Sequence, residues 1–318
     1  MDSYKVIVGI ILVSFISSLI LGNFMIPQLK KKHIGQNIRQ EGPKSHYDKA
    51  GTPTMGGVMI IIVAIILSII FIPFNSKSLV LLLSTVGFGL IGFIDDFRKL
   101  VMKRSLGLNA KQKIVLQVVL SFIVCLITYI ENPELVTKLR IPFSNGYWHV
   151  GYFGFIILMF IMIGTVNAVN LTDGLDGLVS SVSIPVFMTF ILISIGIEDK
   201  IFASILLGSI MAFLVYNSNP ASVFMGDTGS MAIGGAVSAL AINMGISIFL
   251  IILGGVYMFE ALSVIIQVIS YKTRNGKRIF LMSPIHHHFE LKGYKEPKIV
   301  TSFAIVSALL SLVTLLII

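Results

Sequence analysis

Residues 95 and 96 are both aspartate and stand just before Arg98, Lys99, Lys103 and Arg104. Neighbouring residues on a helix point about 100° apart, so the pair is not expected to act as one bidentate clamp. One carboxylate could face a metal ion and the other a reacting group, while a pair of solvated helix-end acids neutralised by the nearby cations is the plain alternative. The segment Asn167–Leu178 reads N-A-V-N-L-T-D-G-L-D-G-L. Asn167, Asn170, Asp173 and Asp176 follow one another at three-residue intervals, which stacks amides and carboxylates on one face wherever the backbone is helical. Gly174 and Gly177 let a ligand come close to the backbone. An Asn/Asp/Gly turn explains the same residues without a ligand, but four polar groups in that register within an apolar chain favour a site.

Asn217 to Asp227 form a second polar segment without Lys or Arg, ending in F-M-G-D-T-G-S at Phe224–Ser230. Asp227 stands directly before an expected helix, where it serves either as an N-cap or as an oxygen ligand. Carboxylate ligands suit Mg²⁺, which keeps several waters and binds substrate phosphates. Phe224 offers an aromatic face to a base. His286, His287 and His288 are consecutive and cannot all face one point on a regular helix. No cysteine cluster or zincin spacing accompanies them, and donation to phosphate oxygens fits the surrounding Lys and Arg better than a zinc site. The loop Ser45–Gly57 has glycines but no complete G-x-x-x-x-G-K-[ST], which excludes a P-loop. Lys49 and Thr54 can still contact anions, and Gly56 and Gly57 permit tight helix packing.

The elements that must position these groups are membrane helices. Of 318 residues, 55% are hydrophobic and 12% charged, and mean hydropathy is +0.93. Windows 6–29, 50–76, 177–197, 201–226 and 299–318 contain no Lys, Arg, Asp or Glu, and each can cross a hydrocarbon layer of about 30 Å. The first lacks a basic start and a cleavage site, so a permanent helix is expected rather than a signal peptide. The pattern predicts an all-α polytopic membrane protein, one domain over 1–318, with about ten transmembrane helices. They fall near 4–27, 53–72, 78–95, 112–130, 150–168, 177–196, 201–217, 228–244, 247–270 and 299–318. A tight hairpin at Asn243, Gly245 and Ser247 separates the eighth from the ninth. Glu260, alone in its apolar stretch, marks a bend or meets an interior polar partner.

Charge sets the orientation. With the N-terminus outside, segments 28–52, 95–113 and 271–298 face the cytoplasm and carry nineteen of the 24 Lys plus Arg, a clear positive-inside bias. Both termini then lie outside, and all the polar motifs lie at the cytoplasmic face. Loops 169–176 and 217–227 break the rule by carrying Asp173, Asp176 and Asp227 without a cation, and acids at a membrane boundary mark function more often than structure. The external segment Glu131–His149 contains Asn145–Gly146, a turn for a small hairpin. Cys125 is the only cysteine, so no intrachain disulfide forms. The net charge of +9 resides in particular loops rather than on a foldable domain, which argues against a nucleic-acid partner. The cations face the lipid bilayer surface instead.

Five segments together, GTPTMGG at 51–57, DDFRK at 95–99, NAVNLTDGLDGL at 167–178, FMGDTGS at 224–230 and MSPIHHHFELKG at 282–293, resemble the signatures of the polyprenyl-phosphate N-acetylhexosamine-1-phosphate transferases. The HHHFELKG and GTPTMGG forms favour the branch that uses UDP-N-acetylmuramoyl-pentapeptide over the branch that uses UDP-N-acetylglucosamine. The resemblance implies transfer of the phospho-sugar to undecaprenyl phosphate at the bacterial cytoplasmic membrane, with Mg²⁺ as cofactor and a homodimer as the assembly. It implies that Asp95, Asp96 and Asp173 are catalytic, that Asp227 binds Mg²⁺, and that His286, His287 and His288 lie near the phosphates. Lys49, Thr54, Asn170, Asp176, Asn217 and Phe224 become substrate contacts. An ion-coupled transporter is the alternative from another class, but its charges belong near the bilayer midplane within repeated broken helices, whereas these acids gather at one face.

Overall fold

The computed structural model describes residues 3–31, 51–102, 107–144 and 146–318. In chain order its helices are α1 (Ser3–Lys31), α2 (Val58–Phe71), α3 (Ser76–Val101), α4 (Ala110–Glu131), the short α5 (Pro133–Thr137), α6 (Phe153–Thr172), α7 (Leu178–Ile193) and α8 (Ile197–Asn217). There follow α9 (Gly226–Asn243), the short α10 (Leu250–Leu253), α11 (Gly255–Thr273), the short α12 (Ile285–Leu291) and α13 (Glu296–Ile317). Strands β1 (Lys138–Arg140) and β2 (Tyr147–His149) form the expected small antiparallel hairpin, with Leu139 opposite Trp148.

All ten expected segments contain a helix, but not all ten qualify as spans. Among the described residues six helices are long and apolar enough to cross a membrane, or seven if a bent pair counts as one. Helix α2 has 14 residues and α7 has 16, roughly 21 and 24 Å at 1.5 Å per residue, short of the hydrocarbon thickness. Helix α9 is rich in glycine and serine and is buried from Thr228 to Asn243. The expected continuous helix over 247–270 is also corrected. A 3₁₀ turn at Ser247–Phe249 leads into α10, and the chain then bends by 83° at Gly254 before α11. The hairpin before it stands, with Gly245 at φ +68° directly after α9.

Small and hydroxylated residues set the packing, as expected where lipid removes the hydrophobic drive between helices. On α1 and α8, Ser14 donates to the Ile205 carbonyl at 2.5 Å and Ser18 meets Ser209 at 2.8 Å. Helices α3 and α9 approach through Gly92 and Gly235. A Cβ on Gly92 would stand 2.1 Å from the Asp227 carbonyl oxygen, and one on Gly235 would stand 2.7 Å from that of Ser84. Helix α3 begins at a capping box in which Asn75 and Ser78 exchange bonds of 2.9 Å, and α4 begins at another, between Asn109 and Gln112. These caps satisfy backbone donors that neither lipid nor the helix can take. At the same end as the α3 cap, Asn75 donates to Glu198, and Asn243 donates to Asp199 and to the Lys77 carbonyl.

Candidate active site

The opposite end of the bundle gathers the C-termini of α3, α6 and α8 and the N-termini of α4, α7 and α9. Asp95 and Asp96 occupy the last turns of α3, and both are buried. Asp95 Oδ1 accepts the Leu108 backbone N–H at 2.7 Å, and its Oδ2 lies 2.6 Å from Lys99 Nζ. Asp96 Oδ2 accepts from both the backbone N–H and the hydroxyl of Thr228, at 2.9 and 2.8 Å. Asp227 faces them from the first turn of α9. It stands inside the helix, with Met225 rather than Asp227 at the N-cap position, which removes the N-cap alternative. Its Oδ2 is 2.8 Å from Lys113 Nζ and 3.2 Å from Lys99 Nζ, while its Oδ1 accepts from Asn170 at 3.1 Å.

One oxygen from each of Asp95, Asp96 and Asp227 lies within 4.8 Å of the others. The divergence expected of neighbouring helical residues therefore does not hold in this site: Thr228 and Lys99 draw the two carboxylates of α3 toward a common point. Two ammonium groups against three carboxylates leave one negative charge unmatched. The donors are all hard oxygens, a set that fits Mg²⁺. Lys99 and Lys113 join the cluster as candidate site residues that the sequence alone did not single out. Lys99 had a local signal, one turn after the aspartates, whereas Lys113 reaches Asp227 across 114 residues of chain and had none.

The four-residue ladder from Asn167 to Asp176 disperses because α6 ends at Thr172. Asn167 exchanges hydrogen bonds with Gln117 of α4, and Asn170 turns to Asp227 and Ser230. Asp173 follows the helix, partly buried, with its carboxylate against the Gly226 N–H. Burial holds that carboxyl well above the usual carboxylate range, reinforced by the charges of Asp227, Asp96 and Asp176 and opposed by the Gly226 bond. Asp176 accepts from the Ala221 N–H and from Asn219 at 3.0 and 3.2 Å. Asn217 takes the Gly177 N–H at 3.0 Å and donates to the Val223 carbonyl at 2.9 Å. These last two residues tie the acidic loops to one another.

Lys49 lies outside the described residues. Thr54 is buried, and its hydroxyl stands beside Asp96 at Gly226, where a Cβ would meet Asp96 Oδ2 at 2.6 Å and Thr54 Oγ1 at 2.9 Å. Phe224 is half-buried, and its backbone pairs with Pro53 and Gly56 at 2.8 and 2.9 Å. Gly57 is jammed against Gly229, which leaves 2.1 Å between a Cβ and the neighbouring Cα. Gly56 and Gly57 thus serve tight packing, as expected of them, whereas a Cβ on Gly51 would meet nothing within 4 Å. The three histidines diverge as expected. His286 is fully buried with Nδ1 at 3.1 Å from Glu260 Oε2. His287 pairs with Glu290 at 2.6 Å, and His288 Nδ1 accepts the Leu281 N–H at 3.1 Å. Glu260 therefore has the interior polar partner foreseen for it.

Comparison with known proteins places this chain among transferases. A model described as glycosyl transferase family 4 matches residues 78–245, and one described as phospho-N-acetylmuramoyl-pentapeptide-transferase signature 1 matches residues 49–61. The chain is 46% identical to the phospho-N-acetylmuramoyl-pentapeptide-transferase of Halalkalibacterium halodurans over 98% of its own length and 97% of the relative's. It is 44% identical to the protein of that name from Bacillus subtilis and 47% identical to that from Bacillus thuringiensis, each over 94% of both chains.

Proposed function

The chain belongs to the phospho-N-acetylmuramoyl-pentapeptide-transferases of glycosyl transferase family 4, and from that premise we propose how its carboxylate cluster performs the reaction. The protein transfers phospho-N-acetylmuramoyl-pentapeptide from UDP-N-acetylmuramoyl-pentapeptide to undecaprenyl phosphate, forming lipid I and UMP in peptidoglycan synthesis. An oxygen of the lipid phosphate attacks the sugar-bearing phosphorus, the diphosphate bridge of the donor breaks, and UMP leaves. One diphosphate linkage replaces another, so the exchange is readily reversible.

The observation that carries the site assignment is the convergence of Asp95, Asp96 and Asp227 within 4.8 Å beside Lys99 and Lys113. Asp95, Asp96 and Asp227 would hold Mg²⁺, which when bound neutralises the donor diphosphate. Lys99 and Lys113 stabilise the charge that spreads over the equatorial oxygens in the transition state. The lipid phosphate, with a second pKa near ~6, is largely dianionic at neutral pH and needs no strong base. Both oxygens of Asp95 are engaged, by Leu108 and Lys99, which suits an orienting residue better than a nucleophile. Direct attack by the lipid phosphate is therefore favoured over an aspartyl-phosphate intermediate. Asp173 adjoins the cluster as a further acidic group that serves turnover. Thr54, Asn170 and Phe224 line the donor's path, while Asp176 and Asn217 hold its loops in shape. His287 and His288, only partly buried, are the histidines available to phosphate oxygens. The positive-inside bias supports a cytoplasmic position for this end of the bundle, and the family resemblance supports a homodimer.

The test is UMP release from membrane vesicles given impermeant donor, undecaprenyl phosphate and Mg²⁺. Release that requires both substrates and occurs only when the cytoplasmic face is outward supports the proposal. Release without the lipid phosphate, or from right-side-out vesicles, overturns it.

A further inference from the structure

Helix α11 carries its polar residues on one stripe. Glu260, Ser263, Gln267 and Ser270 follow at steps of three, four and three and are buried, one face of a helix. Phe259, Leu262, Ile265, Ile266 and Ile269 on the other faces are exposed. The stripe grips the loop that leads to the histidines. Gln267 Oε1 takes the backbone N–H groups of Ile279 and Phe280, both at 3.0 Å, and its Nε2 donates to the Phe280 carbonyl at 2.8 Å. Ser270 donates to the Lys277 carbonyl at 3.0 Å. Glu260 continues the pattern toward His286, at 3.1 Å, with both side chains fully buried.

That last contact is unlike the others. Its distance is that of an ion pair, but its alignment is not that of a hydrogen bond, and no oxygen of Glu260 or nitrogen of His286 has another hydrogen-bond partner among the described residues. Buried, unsatisfied polar groups are costly and rare, so a pair retained here needs a reason. The other edge of the imidazole supplies one. His286 Nε2 rests on Gly174, where a Cβ would stand only 2.1 Å away, and Gly174 directly follows Asp173. The ring has no open face for a phosphate. It fills the space between α11 and the loop that carries Asp173.

We propose that Glu260 and His286 are positioning residues: the pair forms a buried brace from α11 through Gly174 that sets the place of the Asp173 carboxylate. The brace rests on the transferase reading for its catalytic consequence. His286 then acts through the loop and not on substrate phosphate, which separates it from His287 and His288. The 83° bend at Gly254 belongs to the same device, since it sets the course along which α11 presents its polar stripe.

The experiment is a double-mutant cycle in the full-length enzyme, with Glu260→Gln, His286→Gln and the double variant, measured as kcat and donor KM per folded protein. Each single change should lower kcat by ~10-fold or more, as expected from misplacing a reacting group, with donor KM held within about twofold. The double variant, in which two amides can bridge the same gap, should recover a large part of that loss, because residues in contact are not additive. A brace without catalytic consequence would lower the melting temperature alone. A His286→Gln variant with raised donor KM, or a double variant as slow as His286→Gln, would show direct phosphate contact and overturn the proposal. Gly174→Ala, pressing on the ring from the other side, gives a second reading should the polar variants not accumulate. It must reproduce the kcat loss with KM unchanged, and normal kcat would overturn the brace. If wild-type enzyme released no UMP, the transferase reading would fail instead. The brace would then still be read in melting temperature, where the double variant must lose less than the sum of the singles.

Discussion

Gly92→Ala isolates the geometry of the carboxylate cluster from its chemistry. The substitution adds one methyl group to α3, several residues before Asp95, and alters no polar atom. That methyl would stand 2.1 Å from the Asp227 carbonyl oxygen, 2.4 Å from its carbonyl carbon and 2.7 Å from the Thr228 nitrogen. An ordinary carbon–carbon contact is about 3.5–4.0 Å, so α9 must retreat from α3 by about 1 Å or more. The obstacle is helix backbone, and it cannot rotate aside. Overpacking of this kind costs about 1–3 kcal/mol, which leaves a folded protein. The cluster is less forgiving, because the retreat carries Asp227 away from Asp95 and Asp96 and strains the Thr228 bonds to Asp96. A misplacement of about 1 Å can cost ~10²-fold in rate. Gly164→Ala on α6 is the control, because its Cβ meets nothing within 4 Å. The assay is UMP release per folded protein across a Mg²⁺ titration. A loss of ~10²-fold for Gly92→Ala, with Gly164→Ala near wild type, is expected. Equal activity of the two variants would refute the claim that close α3–α9 contact sets the cluster.

Asp173 gives a pH signature in metal-free protein. Its folded-state pKa is raised by burial and then by Asp227, Asp96 and Asp176, so from about pH 3.9 up to that raised value the folded state holds a proton that the unfolded state has lost. Stability therefore falls as pH rises through this window and levels above it; thermal melts should show that slope flattened in Asp173→Asn. Lys113→Met should reduce kcat while lowering the Mg²⁺ concentration needed for half-activity, because Lys113 competes for Asp227 Oδ2 at 2.8 Å; an increased Mg²⁺ requirement would contradict that role. Stoichiometric enzyme mixed with labelled donor, in detergent freed of lipid phosphate, should release no UMP and retain no acid-stable label. A labelled protein adduct matched to UMP release would establish a covalent route through Asp95.

How far the sequence disclosed this site depends on the range of each interaction. Asp173, Asp176 and Asp227 announced themselves because carboxylates without nearby cations stand out in loops at a membrane boundary, Asp95 and Asp96 as a pair at a helix end, and the helices through apolar length. Convergence was harder to read. Asp96 joins Asp95 and Asp227 only because Thr228, 132 residues away, offers it two hydrogen bonds, and Lys113 arrives from another helix. The count of ten spans is not confirmed at α2, α7 and α9: α2 and α7 are short, and α9 is enclosed by protein neighbours, which relax the demand for apolarity. The bend at Gly254 left little mark, since a glycine within an apolar run is also ordinary helix packing. The stripe from Glu260 to Ser270 was present as a spacing, but only its contacts with 277–286 give it meaning.

Asp95, Asp96 and Asp227 are proposed to hold jointly the divalent cation on which transfer depends. Electron paramagnetic resonance of Mn²⁺, titrated into purified wild-type protein and into Asp95→Asn, Asp96→Asn and Asp227→Asn variants, tests this assignment without requiring turnover. Mg²⁺-displaceable Mn²⁺ at one site in the wild type, weakened in each folded variant and most strongly in Asp227→Asn, is the predicted result. Tight Mn²⁺ binding unchanged in all three would place the cation elsewhere and refute the three-carboxylate site.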